Sequence, residues 1–144
     1  MSQEALSLLQ QLIAIPSVSR DETAAADLLE KVICDYGLRP QRKGNNVWVV
    51  ADRWNDDKDI ILLNAHIDTV KPVSTWTRDP FTPVIENGRL YGLGSNDCGG
   101  GLVTLLQVFR EITSRPEQRY NFVYLASCEE EVSGIGGIRS IISD

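Results

Sequence analysis

Apolar side chains recur at helical spacing near the start of the chain, and two helices are predicted there. The first set comprises Leu6, Leu8, Leu9, Leu12, Ile13 and Ile15. Pro16 follows and cannot continue a helical hydrogen-bond ladder, so the first helix is expected over about residues 3–15. Ser19 and Glu22 have the spacing of a capping box, which predicts a second helix that ends at Gly37. Its buried face is expected to contain Ala25, Leu28, Leu29 and Val32.

Two apolar runs in the next segment have the character of strands. Residues 47–51 are β-branched and aromatic, and residues 60–63 are apolar without interruption, with a turn-like stretch at residues 55–58 between them. An uninterrupted run predicts a strand that is buried on both faces. Because such strands belong to sheets with helices on both sides, the pattern predicts a three-layer α/β/α domain.

The second half of the chain continues this alternation. A hairpin is predicted from residues 84–85 to residues 90–91, and a helix that opens at residues 99–101 is expected to run to about Thr113. Residues 121–127 predict another buried strand. Residues 134–144 begin a helix with no later strand to pack against, so we expect residues 1–144 to be the N-terminal portion of a truncated domain.

Composition and charge narrow the function classes. The chain has 144 residues with 42% hydrophobic content, and no window approaches the roughly 20 apolar residues that a membrane span needs. The first residues lack the basic region of a signal peptide, and three widely spaced cysteines indicate no disulfide framework. We therefore expect a cytoplasmic protein without a membrane partner. The net charge of −6 and the scattered basic residues argue against nucleic acid as a partner.

His66, the only histidine, comes directly after the apolar run at residues 60–63, and Asp68 lies two positions further on. If the strand continues, both side chains lie on one face. An imidazole that binds a metal ion commonly has its other nitrogen held by a carboxylate, so the pair is a candidate metal ligand with its orienting group. Taken alone, the same spacing also fits a strand end with an incidental histidine.

Asp97 lies at the end of a glycine-shaped loop, residues 92–97. A dinucleotide-binding loop would need glycine where Asp97 stands, and a carboxylate there would repel a pyrophosphate. A carboxylate in such a loop suits a cation, particularly two cations bridged by one group. The alternative is a glycine turn in which Asp97 caps the next helix.

Glu129, Glu130 and Glu131 come straight after the last predicted strand. Acidic triplets are usually solvated, but ligands of open α/β sheets bind at the carboxyl ends of strands. His66, Asp97 and this triplet each follow a predicted strand, so we expect them to meet at one edge of the sheet.

Four motifs in this order resemble the metal-dependent amidohydrolases typified by acetylornithine deacetylase and succinyl-diaminopimelate desuccinylase. The motifs are residues 64–70, residues 76–80, residues 90–97, and Glu130-Glu131 followed by Gly136. The resemblance covers essentially the whole chain and implies a three-layer α/β/α zinc-hydrolase catalytic domain that binds two divalent metal ions, zinc or cobalt.

The resemblance also implies roles for individual residues. His66 is then a ligand of one metal ion, Asp97 the carboxylate that bridges both, and Glu131 a ligand of the second. Asp68 orients His66, and Glu130 is the general base that moves a proton from water to the leaving amine. The glutamate register stays open between Glu129/Glu130 and Glu130/Glu131, with the second pair preferred because it sets Gly136 at the family spacing.

The chain departs from the family pattern in two respects. Gly99 stands where relatives commonly have lysine, which is expected to affect loop packing rather than metal binding. A third ligand for each metal ion, including a late histidine, and the lid domain that mediates dimerisation are absent from residues 1–144. The chain alone is therefore expected to be inactive, while the full-length protein is expected to be a homodimer.

The predicted function is hydrolysis of the amide of a small-molecule N-acyl amino acid, most like N-acetylornithine deacetylase in arginine biosynthesis. Alternatives within the family are acetylcitrulline, succinylated amino acids, succinyl-diaminopimelate or dipeptides as substrates. An alternative from another class is a non-catalytic metal-binding module. The substrate, the identity of the metal, the reason that the chain ends at Asp144 and the oligomeric state of this chain stay open.

Overall fold

The computed structural model describes residues 1–142, which form a mixed α/β structure. The four-stranded sheet has the order β1-β2-β6-β3, and β4 and β5 form a separate hairpin. The strands are β1 (Gln41–Lys43), β2 (Asn46–Val50), β3 (Ile60–His66), β4 (Val84–Glu86), β5 (Arg89–Tyr91) and β6 (Asn121–Ser127). The helices are α1 (Gln3–Ile13), α2 (Thr23–Asp35), α3 (Gly101–Thr113) and α4 (Arg139–Ile142).

The hydrophobic core lies between one face of the sheet and helices α1, α2 and α3. Strands β3 and β6 run parallel, whereas β2 and β6 are antiparallel. Alternate residues of these strands face the helices, and the largest fully buried side chains of the core include Leu29, Leu106, Phe109 and Tyr124. None of the helices within residues 1–142 has the length and apolar content needed to cross a bilayer.

The opposite face of the sheet is covered only in part. Asn46 donates a hydrogen bond from Nδ2 to the carbonyl oxygen of Gly136 at 2.6 Å, which places the segment before α4 over β2. At the β3 edge, Ile60 and Leu62 are 57% and 40% exposed. The prediction that this apolar run is buried on both faces is therefore wrong for residues 1–142, because α1, α2 and α3 all pack on the other side.

Most predicted elements are confirmed, with shifted boundaries. The hairpin turn is at Asn87 and Gly88, both with positive φ, and β6 has the predicted range. The short polar strand β1 was not predicted, because its residues carry no apolar alternation. The predicted final helix is helical only from Arg139, and its residues 143–144 lie outside the described part of the chain.

The predicted capping box is wrong. Helix α2 begins at Thr23 with Glu22 at the N-cap, and no side chain caps it. The Ser19 hydroxyl donates instead to Asp68 Oδ2 at 2.7 Å, while Glu22 Oε1 accepts from the Arg20 amide at 2.7 Å. Both polar side chains are thus directed toward the loops that follow β3 and β6.

The packing of α3 on the sheet gives a test of the fold. Leu106→Ala is expected to lower the free energy of unfolding by about 2–5 kcal/mol, because Leu106 is fully buried and truncation leaves a cavity. Val108→Ala, on the exposed side of the same helix, should change it by less than about 1 kcal/mol. Urea unfolding measures both, and equal losses would contradict this packing.

Candidate metal centre

The candidate centre lies at the carboxyl ends of the neighbouring parallel strands β3 and β6. His66, the last residue of β3, is the register partner of Ser127, the last residue of β6. The segments that follow these two strands therefore leave the sheet side by side. The Ile67 amide donates to the Ser127 carbonyl oxygen at 2.8 Å, which continues the pairing for one more residue.

The His66 imidazole is buried and held on both nitrogens. Its Nδ1 lies 3.0 Å from the backbone oxygen and 3.4 Å from Oδ1 of Asp68. Its Nε2 lies 3.0 Å from Asp97 Oδ1 and 3.7 Å from Glu130 Oε2. The hydrogen bond to the Asp68 side chain is the largest effect on the pKa of His66, and it raises that pKa. Burial lowers the pKa, and the hydrogen bond to Asp97 raises it further, to about 10.

Asp68 is 1% exposed and receives hydrogen bonds from two other segments of the chain. Its carboxylate accepts from the Ser19 hydroxyl at 2.7 Å, the Glu130 amide at 3.0 Å and the Glu131 amide at 3.1 Å. Burial by itself would raise the pKa of Asp68, but the bonds from His66, Ser19 and the two amides outweigh it and lower the pKa to about 2. The carboxylate therefore stays charged and fixed.

Asp97 lies in a loop that requires glycine at two positions. Gly94 has φ +74°, and a Cβ there would lie 2.8 Å from Thr69 Cγ2. A Cβ at Gly99 would lie 2.6 Å from the Gly94 carbonyl oxygen, so this turn excludes a residue with a side chain at that position. The Asp97 side chain is 77% exposed and has room to reorient.

The side chain of Glu129 points in a different direction from those of Glu130 and Glu131. Glu129 has φ +53°, and its carboxylate lies over Gly134 and Gly136, where a Cβ at Gly136 would meet Oε1 at 2.4 Å. Glu130 and Glu131 instead bring ligand atoms to within 4.8 Å of a His66 nitrogen. This arrangement supports the Glu130/Glu131 register, because Glu129 faces away from the imidazole.

The donors in this region suit a divalent cation. Among residues 1–142, two groups of three donor atoms lie within 4.8 Å of one another: His66 with Asp97 and Cys98, and His66 with Glu130 and Glu131. Burial, followed by the charge of Asp97, raises the pKa of Glu131 above its ordinary value, as expected where carboxylates crowd together. Imidazole and carboxylate donors are those that zinc binds.

The described part of the chain has no such group of three that contains both Asp97 and Glu131. The predicted bridge from Asp97 to a second ion therefore requires the exposed side chain of Asp97 and the half-buried side chain of Glu131 to turn toward each other. Sequence reasoning also missed three residues at the centre, namely Ser19, Glu22 and Cys98. Of these three residues, only Cys98 could have been identified from the sequence, because it directly follows Asp97.

Comparisons with known proteins show the family to which the chain belongs. The chain belongs to the peptidase family M20/M25/M40, whose family model matches residues 62–144. It is 29% identical to succinyl-diaminopimelate desuccinylase of Blochmanniella floridana over 154 aligned positions, which cover 99% of this chain and 39% of that protein. The chain thus spans about two-fifths of the length of the curated relatives it matches.

Solved structures share the fold. An M20-family metallo-carboxypeptidase from Sulfolobus solfataricus superposes with a TM-score of 0.75 at 28% identity, covering 91% of this chain and 32% of that one. A dinuclear metal-binding peptidase of the M20 family from Bacillus subtilis superposes with a TM-score of 0.69 at 16% identity, covering 97% of this chain and 38% of that one. At 16% identity, the comparison with the Bacillus subtilis protein shows only that the two chains share a fold. The α/β class and the family resemblance are confirmed.

The single histidine allows a direct titration. In the metal-free chain, the His66 ring signal is expected to titrate near pH 10 rather than near its ordinary value of 6.5. Because the folded pKa is the higher one, the protonated ring stabilises the fold fully below pH 6.5, and this contribution is lost as the pH rises toward 10. Proton–carbon NMR of the imidazole measures the midpoint. A midpoint near 6.5 would show that the contacts to Asp68 and Asp97 do not form.

Proposed function

We propose that this chain supplies part of a two-metal centre that hydrolyses the amide of an N-acyl amino acid. His66 binds one ion, Asp97 bridges both, and Glu131 binds the second, while Asp68 orients His66. The observation that carries the proposal is the position of the buried His66 ring, whose Nδ1 is held by Asp68 and whose Nε2 faces Asp97 and Glu130. This is the arrangement of a ligating imidazole with its carboxylate partner.

The chemistry of the donors favours zinc or cobalt. An imidazole nitrogen and carboxylate oxygens are ligands that both metals accept. When bound, such ions supply positive charge that polarises a carbonyl group and makes the deprotonation of water easier. The similar protein from Sulfolobus solfataricus is a metallo-carboxypeptidase, which supports a metal ion at this centre, while the choice of zinc or cobalt rests on the donors.

Glu130 is the proposed general base. Its Oε2 lies beside His66 Nε2 and its amide is fixed by Asp68, so the side chain extends from an anchored backbone into the centre. In the proposed reaction, water adds to the amide carbon, the carbon–nitrogen bond breaks, and a carboxylate and an amine are formed. Glu130 takes the proton from water and passes it to the leaving nitrogen.

The specific activity we propose is deacetylation of N-acetylornithine, as in arginine biosynthesis, in a cytoplasmic protein. The motifs at residues 64–70 and residues 90–97 support it through their resemblance to the family typified by acetylornithine deacetylase and succinyl-diaminopimelate desuccinylase, so they support both candidates. The second candidate is removal of succinate from succinyl-diaminopimelate, which is favoured by the 29% identity to a desuccinylase. A non-catalytic metal-binding module is the alternative from another class.

We further propose that the centre is completed by ligands outside residues 1–142, and that the whole protein is a homodimer. Within the proposed set, each ion has two protein ligands: His66 with Asp97, and Asp97 with Glu131. Catalytic zinc sites hold their ion with three protein ligands, so each ion lacks one. The 144-residue chain is therefore expected to bind metal weakly and to show little activity by itself.

Metal binding by the 144-residue chain tests the ligand set. Asp97→Asn is expected to weaken cobalt binding at least about tenfold, because the amide removes a charged donor. Glu130→Gln should stay within about threefold of the original, since the base is not a ligand. Cobalt absorption titrations measure both. Asp79→Asn is the matched control, because Asp79 only caps its own turn at Phe81 and Thr82. Unchanged cobalt binding in Asp97→Asn would refute the ligand assignment.

Activity is tested on the product of the complete coding sequence and on the 144-residue chain in parallel. The complete product is expected to release acetate from N-acetylornithine in a zinc-dependent reaction that Glu130→Gln reduces at least about 100-fold. The 144-residue chain should show no turnover above background. Faster cleavage of succinyl-diaminopimelate would select the second candidate. Zinc binding without cleavage of either substrate would select the non-catalytic module.

A further inference from the structure

Glu22 is a fully buried carboxylate with three hydrogen-bond donors. It is 0% exposed, and its partners come from three separate segments. Oε1 accepts from the Arg20 amide at 2.7 Å and from the Glu129 amide at 3.1 Å, and Oε2 accepts from Asn45 Nδ2 at 2.9 Å. A buried acid with this set of partners connects the start of α2, the β1–β2 turn and the loop after β6.

The contact with Glu129 is part of a continuous arrangement. The amides of Glu129, Glu130 and Glu131 follow β6 in succession, and each one donates to a buried carboxylate. Glu22 accepts the first, and Asp68 accepts the second and third at 3.0 and 3.1 Å. Three successive backbone donors are thereby bound to two fixed side chains, which leaves this loop little freedom.

Glu129 adopts a conformation that requires such support. Its φ of +53° is in the left-handed region, which residues other than glycine, asparagine and aspartate rarely adopt. The Glu129 side chain turns toward Gly134 and Gly136, whereas Glu130 and Glu131 turn toward His66. The orientation of the two functional glutamates thus depends on the backbone at Glu129, which Glu22 binds.

We propose that Glu22 is a positioning residue that holds the Glu129 amide so that Glu130 and Glu131 face His66. The effect of Glu22 on metal binding rests on the proposed function, whereas its effect on the loop does not. Helix capping does not explain the side chain, because it makes no cap hydrogen bond to α2. Its bond to the loop after β6 spans 107 positions of sequence, so it is a tertiary contact.

Three substitutions of Glu22 separate the effects of side-chain length, charge and hydrogen-bond acceptance. Glu22→Gln keeps the side-chain length and an oxygen that can accept from the Arg20 and Glu129 amides. The side-chain amide of Asn45 can rotate so that its oxygen accepts from the nitrogen that this substitution introduces. Glu22→Asp keeps the charge but is one methylene too short to reach both Arg20 and Glu129. Glu22→Ala removes the acceptor. Leu106→Ala controls for lost stability, and Glu30→Ala controls for loss of an acid in α2 that pairs only with Arg42 on the surface.

Two readouts are measured in the 144-residue chain. Amide hydrogen exchange at Glu129, Glu130 and Glu131, taken relative to the Tyr124 amide in β6, reports the loop without any metal. Glu22→Asp and Glu22→Ala are expected to speed exchange at Glu129 at least about tenfold, the effect of losing one ordinary hydrogen bond, while Glu22→Gln stays within about threefold. If Glu22→Ala does not fold, the comparison of Gln with Asp decides the outcome.

Zinc affinity is the second readout. Glu22→Asp and Glu22→Ala are expected to weaken zinc binding about tenfold, with Glu22→Gln and both controls within about threefold. Leu106→Ala separates positioning from stability, because it destabilises the fold without touching the loop. Unchanged exchange at Glu129 in Glu22→Asp, or a loss in Glu22→Gln equal to that in Glu22→Ala, would overturn the proposal. If the product of the complete coding sequence binds no zinc but the exchange pattern holds, the proposed function fails and the positioning role stands.

Discussion

The buried carboxylate of Asp68 connects the segments on which the candidate centre depends. It accepts hydrogen bonds from the Ser19 hydroxyl and from the amides of Glu130 and Glu131, and it holds Nδ1 of His66. A buried charge is stable only when its lone pairs are satisfied, so the loss of any of these contacts leaves the Asp68 carboxylate less well compensated. The position of the imidazole and the start of the glutamate loop are therefore one structural unit.

The sheet explains why this unit forms where it does. Adjacent parallel strands β3 and β6 end at the same level, which sets His66 beside Ser127 and brings the residues that follow into contact. The helices cover one face and stabilise these strand ends through a dense core around Tyr124. The exposed edge at Ile60 and Leu62 lies away from the centre, so partial cover of the other face leaves the geometry of the donors intact.

Local patterns predicted much of this structure, and long-range contacts account for what they missed. Apolar patterns located α1 and β6, the glycine run at residues 99–101 located the start of α3, and the placement of His66, Asp97 and Glu130 after strands predicted their approach to one edge. Ser19 and Glu22 were misassigned to a helix cap because their spacing satisfies a local rule, whereas Ser19 binds Asp68, 49 positions away, and Glu22 binds the Glu129 amide, 107 positions away. The exposure of β3 was missed because an apolar run does not reveal how many faces are covered.

The positions of His66, Asp97 and Glu131 support the proposal that these residues hold two divalent ions together. Anomalous diffraction at the zinc absorption edge, from crystals of the 144-residue chain grown with zinc, tests it most directly. We expect one peak at about 2.0–2.2 Å from both His66 Nε2 and an Asp97 oxygen, and a second peak at a similar distance from Asp97 and Glu131 oxygens. Zinc bound at Glu129 or at scattered surface carboxylates, with none at His66, would contradict it.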